Sequence, residues 1–210
     1  MLPGPDVTVA CPACGAFANV PTLRSGNTFG TRVWTDGKHL SPMLPEIPPV
    51  VECGSCHAVY FLAAARRVND REAPAVCEPT EHRYYDAIAS GLALNHKEEF
   101  LLRLYAWWKS NDRVRFGLRE AEADNGTIGT IRRDNMTALI GLLGPDDQAD
   151  QVMRAELLRQ LGRFDETFIV INGVTEAELA PAVQTITASC EARDSYVQEI
   201  RAIPKRTILL

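Results

Sequence analysis

Nowhere in these 210 residues does an apolar run reach the roughly 18 residues that a membrane-crossing helix needs, so no membrane span is expected. The opening stretch MLPGPDVTVACPACG has neither a basic start nor an apolar core. A secretory signal is therefore not expected, and the reducing cytoplasm is the expected compartment. Net positive charge is missing too. The formal net charge is −5, and residues 1–65 set Arg24, Arg32 and Lys38 against Asp6, Asp36, Glu46 and Glu52. Duplex or single-stranded nucleic acid is bound by neutralising phosphates with clustered Lys and Arg, so a nucleic-acid partner is not expected. The chain also lacks a phosphate loop, a nucleophile elbow and a zinc-protease helix. Acidic pairs such as Glu98-Glu99 and Asp146-Asp147 stand at expected helix starts, where they complement the helix dipole. No catalytic residue is assigned.

Apolar residues at 46% and charged residues at 23% give the mix of a globular protein. Pro, Gly, Thr and Val dominate the first 65 residues, and helix formers take over after about residue 80. The expected fold is α+β: a β-rich module over 1–65, a linker over 66–79 and an α-helical domain over 80–210. Within the first part, NTFGTRVW predicts a strand with Phe29, Thr31 and Val33 on one face. Asp36-Gly37 predicts a tight hairpin, since Gly accepts positive φ. HLSPML returns as the partner strand, with Pro42 marking an edge. AVYFL predicts a further strand after the second cysteine pair.

Six cysteines in a reducing compartment point to metal or catalysis before disulfides. The motif CGSCH, residues 53–57, matches a c-type haem signature, but haem attachment belongs outside the cytoplasm and has no use for a second pair. CPACG, residues 11–15, supplies that second pair. A redox dithiol needs a βαβ setting that neither pair has. Four thiolates satisfy the tetrahedral preference of Zn²⁺, and a two-residue spacer lets one turn present two sulfurs to one ion. Gly15 and Gly54 suit turns whose amides face the sulfurs. Over residues 9–62 these turns resemble the knuckles of zinc ribbons and rubredoxin-like folds. The resemblance implies that Cys11, Cys14, Cys53 and Cys56 are the ligands of a structural Zn²⁺, with iron as the other metal that four thiolates suit. The chain departs from the common pattern in its spacer: 38 residues separate Cys14 from Cys53, against roughly 15–20. The hairpin and proline run fill it as an insertion. His57 is expected to be a strand residue, and Cys77 and Cys190 packed or free thiols; His39, His82 and His96 show no metal spacing.

In the second part, helices are expected over about Thr80–Leu94, from Asn95 to about Lys109 behind an Asn95/Glu98 capping box, over 133–143, from Asp146 to Leu161, from Phe164 to Ile171, and from Thr175 towards Ile203. ADNGTIGT is expected as a loop. Of Trp107 and Trp108, adjacent on one helix, at most one can face the core squarely. The stretch AELLRQLGRFDETFIVI, residues 155–171, resembles one tetratricopeptide unit: Ala155 at the small position, Leu158 at a packing position, Gly162 at the turn, Phe164 and Glu166 after it. Thr167 replaces the usual Ala, and no 34-residue repeat flanks the unit. This resemblance implies helical-hairpin packing that neighbouring helices must complete. Together the two resemblances imply a non-catalytic zinc protein acting as a scaffold or protein-interaction module. Nucleic-acid binding through the ribbon, or an enzyme using a cleft between the two parts, are the alternatives.

Overall fold

A computed structural model describes residues 1–69, 71–117 and 127–200. The fold is α+β. Among the described residues nine short strands, β1 (Leu2–Pro3), β2 (Val7–Ala10), β3 (Phe17–Val20), β4 (Leu23–Ser25), β5 (Arg32–Trp34), β6 (His39–Leu40), β7 (Val50–Glu52), β8 (Val59–Phe61) and β9 (Arg66–Arg67), precede the helices. These are α1 (Glu81–Ala89), α2 (His96–Arg115), α3 (Thr127–Leu142), α4 (Gln148–Gln160), α5 (Phe164–Ile171) and α6 (Ala180–Glu191), and a short β10 (Glu199–Ile200) follows them. By contacts the chain forms two units. The first joins Met1–Thr31 to Leu40–Ser110; the second joins Arg32–His39 to the chain from Asn111 onward. This grouping does not follow the shift in composition near residues 65 and 80.

In the first unit β2 is the middle strand of the order β3-β2-β9, antiparallel to β3 with Val9 opposite Ala18 and to β9 with Val9 opposite Arg67. β7 and β8 form a second antiparallel pair, with Val51 opposite Tyr60. The stretch expected to be a linker is stitched to these strands. The Asn19 amide donates to Pro74, the Val76 amide to Asn19 and the Glu52 amide to Cys77, so residues there satisfy their backbone on these strands rather than in water. Val51, Tyr60 and the first cysteine of each pair form a small core, with Leu62, Ala65 and Val76 against it. Helix α1 starts where Thr80 Oγ1 accepts the Arg83 amide and stops at Gly91, whose φ of 71° closes the turn. The capping box forms at α2: Asn95 Oδ1 accepts the Glu98 amide, and Glu98 reaches back to the Leu94 amide. The helix runs past Lys109 to Arg115. Trp107 is buried, and Trp108 is half-buried with its ring 4.9 Å from that of Tyr105.

The second unit contains the Asp36-Gly37 hairpin. Gly37 has φ 80°, its amide bonds to Trp34, and β5 lies between β6 and β10. β6 is thus an edge, and it ends at Leu40, before Pro42. The strand begins only at Arg32, so Phe29 does not share an inward face with Val33; it is 85% exposed. Helices α4 and α5 pack as a hairpin around Gly162, φ 75°, with Ala155, Leu157, Leu158 and Ile171 buried. Thr167 fits the small position because its hydroxyl donates to the carbonyls of Arg163 and Ala155. Two expectations are corrected here. Thr175 caps no helix: its amide is taken by Gln148 Oε1, and α6 starts later, with Pro181 in its first turn. Nor does that helix reach Ile203: it ends at Glu191 because Arg193 turns left-handed (φ 51°) and the Arg193 and Asp194 amides double back to Cys190 and Ser189. Residues beyond 200 lie outside the described part. In ADNGTIGT, residues 127–130 form the first turn of α3 and the rest lies outside the described residues.

Buried charge organises this unit. Asp36, at the hairpin tip, is buried; Arg115 and Asn111 donate to its carboxylate. Arg115 also donates to Asp112, which holds Lys38 at 3.0 Å. Burial pulls the Arg115 guanidinium down to about 9, against the pull of Glu156 in the other direction. Glu156 and Arg159 form a second, wholly buried pair, with Thr35 donating to Glu156 at 2.7 Å.

Candidate metal centre

Each Cys-x-x-Cys pair sits on a turn at the end of a strand. β2 runs into Cys11 and β7 into Cys53. The two turns repeat the same backbone bonds. The Gly15 amide donates to Cys11 and the Cys11 amide to Ala16; the His57 amide donates to Cys53 and the Cys53 amide to Ala58. In each turn the first cysteine is buried and the second exposed. The residue after the second cysteine must turn left-handed to close the loop: Gly15 at φ 76° and His57 at φ 60°. Gly54 does not supply this freedom, as the sequence suggested; His57 takes the strained position instead.

The turns bring the four sulfurs together. Cys11 Sγ lies 3.9 Å from Cys56 Sγ, Cys14 Sγ lies 3.7 Å from Cys53 Sγ, and all four lie within 4.8 Å of one another. These separations are too long for a disulfide, which needs about 2.05 Å. They fit a common ion: four sulfurs at about 2.3 Å in a tetrahedron stand about 3.8 Å apart. The cluster is a possible metal-binding site, and its donor set is all thiol. A shell of four thiolates leaves no position for water or substrate, so such a site holds structure together rather than activating a reactant.

Two of the thiols, Cys53 and Cys14, are shifted in opposite directions. Burial opposes ionisation of Cys53, but amides of Cys56 and Ser55 aimed at its sulfur, with the neighbouring thiols, bring it down to about 6. The Ala16 amide favours the Cys14 thiolate, yet the Cys56 thiol, burial and the other two thiols together push Cys14 up to about 12. Cys53 therefore ionises readily, and Cys14 does not. Tyr60, in the core beneath, is pushed up to about 12 by burial first and by the four cysteines after it.

His57 stands beside the cluster and outside it. Its Nδ1 lies 2.9 Å from Glu52 Oε1, and its carbonyl accepts from Arg83. Arg83 Nε lies 3.7 Å from the same Glu52 carboxylate. Glu52 and Arg83 thus brace the second turn, a role no spacing in the sequence announces, because Arg83 comes from α1. The remaining candidates lie elsewhere. Cys77 is exposed, with its sulfur against the Ala75 carbonyl, and Cys190 is buried in α6, with its sulfur 3.3 Å from the Phe164 carbonyl. His39, His82 and His96 join no group of metal-type side chains among the described residues. No helix among those residues is long and apolar enough to cross a membrane.

Comparison of the chain with protein-family models, with curated proteins and with solved structures finds no match in any of the three.

Proposed function

We propose that this is a non-catalytic zinc protein. Cys11, Cys14, Cys53 and Cys56 hold one structural Zn²⁺ in a closed four-thiolate shell, and the helical hairpin of α4 and α5, packed in the tetratricopeptide manner, binds another protein. The observation that carries the metal reading is the convergence of four sulfurs on two turns of identical hydrogen bonding. The core around these turns is small, and metal binding contributes on the order of 10 kcal/mol to modules of this kind. The interaction reading is supported by the packing of α4 and α5 as a helical hairpin, the kind of unit that neighbouring elements complete; Ile169, 76% exposed on α5, is the residue that probes it.

Elemental analysis of the purified chain tests the first half, with one zinc per chain expected. Iron with rubredoxin-like visible absorption would replace zinc by iron, and no metal would overturn the reading. The second half is tested by isolating the full chain from native extract. One stoichiometric protein partner, lost on Ile169→Glu, is expected; a chain that elutes alone overturns the interaction role and leaves the metal role standing.

A further inference from the structure

The first unit contains a cavity of about 610 Å³ that uses none of the four thiols. Its floor is the apolar face of the ribbon strands, Val9 and Val20 with Phe61, and Leu101 of α2 closes one side. The volume falls in the range of small-molecule sites, about 300–1,000 Å³, which are apolar with a few placed polar groups. The charged side chains here are two cations and one acid. Arg67 on β9 and Lys97 in the first turn of α2 line the cavity, and neither has an ion-pair partner among the described residues. The acid of the lining, Glu98, is committed to the α2 capping box, where it accepts the Leu94 amide. The amino-terminal end of the 20-residue helix α2 adds positive potential on the same side. An apolar floor edged by two cations, with the one acid held in the capping box and the neutral Thr22 and Asn95 beside them, favours an anionic guest over a neutral or cationic one.

We propose that this cavity binds a small amphipathic carboxylate: an aliphatic chain on the Val9, Val20, Phe61 and Leu101 floor, with its head group between Arg67 and Lys97. The site is separate from the metal reading, since its floor and both cations lie outside the cysteine turns.

The test is titration calorimetry of the metal-loaded full chain with hexanoate, octanoate, octanol and octylammonium as probes. Octanoate is expected to bind most tightly, octanol less and octylammonium least. Each added methylene is expected to raise affinity about fourfold until the cavity is full. Lys97→Gln and Arg67→Gln, both on exposed side chains, are each expected to lower octanoate affinity about threefold and to leave octanol unchanged. Lys97→Arg is expected to keep it, and Ala63→Trp at the rim to abolish binding of both. Preference for octylammonium, no dependence on chain length, or no saturable binding by any probe overturns the proposal. So does tighter binding of a short peptide ending in a free leucine carboxylate, which would make the occupant a protein terminus.

Discussion

Replacing Glu156 by Ala is the most informative perturbation of the second unit, because that carboxylate joins three parts of it. Its Oε1 accepts from Thr35 Oγ1 at 2.7 Å, Arg159 Nη2 at 2.6 Å and Gln160 Nε2 at 2.7 Å, and Oε2 accepts from Arg159 Nε at 2.9 Å. Arg159 in turn donates to the carbonyls of Asp194 and Tyr196, so the hairpin, α4 and the segment leading to β10 meet at one buried ion pair. Both side chains have 0% exposure. Removing the acid alone strands a buried guanidinium, a defect that costs about 3–5 kcal/mol. Against a typical total of about 5–15 kcal/mol, this is a large part of the stability. Glu156→Gln keeps an acceptor and loses the charge, so about 2 kcal/mol is expected. The double variant Glu156→Leu/Arg159→Met removes both charges and should be less harmful than Glu156→Ala alone, since an apolar pair needs no compensation. Urea unfolding of the metal-loaded chain, followed by far-UV circular dichroism, measures all three. With a slope of about 2 kcal/mol per molar, Glu156→Ala should move the midpoint of the second unit down by about 2 M. A cost under about 1 kcal/mol for Glu156→Ala, or a double variant worse than the single, would refute the idea that this pair anchors the hairpin.

Cys53→Ser is expected to lose the bound metal and damage the β-rich module while the helical signal of α3–α6 persists; loss of most ellipticity at 222 nm would mean that one cooperative domain unfolds. His57→Gly should leave metal stoichiometry unchanged, since Gly15 shows the same turn without an imidazole, and should stabilise the turn by up to about 1 kcal/mol by relieving the left-handed backbone; loss of metal from this variant would make His57 a ligand. No salt-sensitive binding to duplex DNA or single-stranded RNA is expected. Of the cations in residues 1–65, Arg32 is paired with Glu199 and Lys38 with Asp112. Micromolar affinity that falls steeply across a salt titration would promote the nucleic-acid alternative.

Chemistry confined to a few neighbouring residues was legible without the structure. Cys-x-x-Cys is a local device: two sulfurs on one turn need no long-range information, and two such turns leave one economical way to satisfy four thiols. Asp36-Gly37 and the Asn95/Glu98 box are equally local, and each formed where the residues required it. The tertiary structure decided what those local pieces belong to. The hairpin in the cysteine spacer joins the second unit, because β5 pairs with β10, which lies more than 160 residues along the chain. Asp36 and Glu156 look like solvent-facing acids in sequence. They are buried because Arg115 and Arg159 compensate them, and for Asp36 the partner is 79 residues away. The left-handed turn at His57 was hidden for a related reason. Sequence assigns such a conformation to Gly, whereas here the closing bonds of the turn, braced by Glu52 and by Arg83 from α1, outweigh the intrinsic preference of an L-residue.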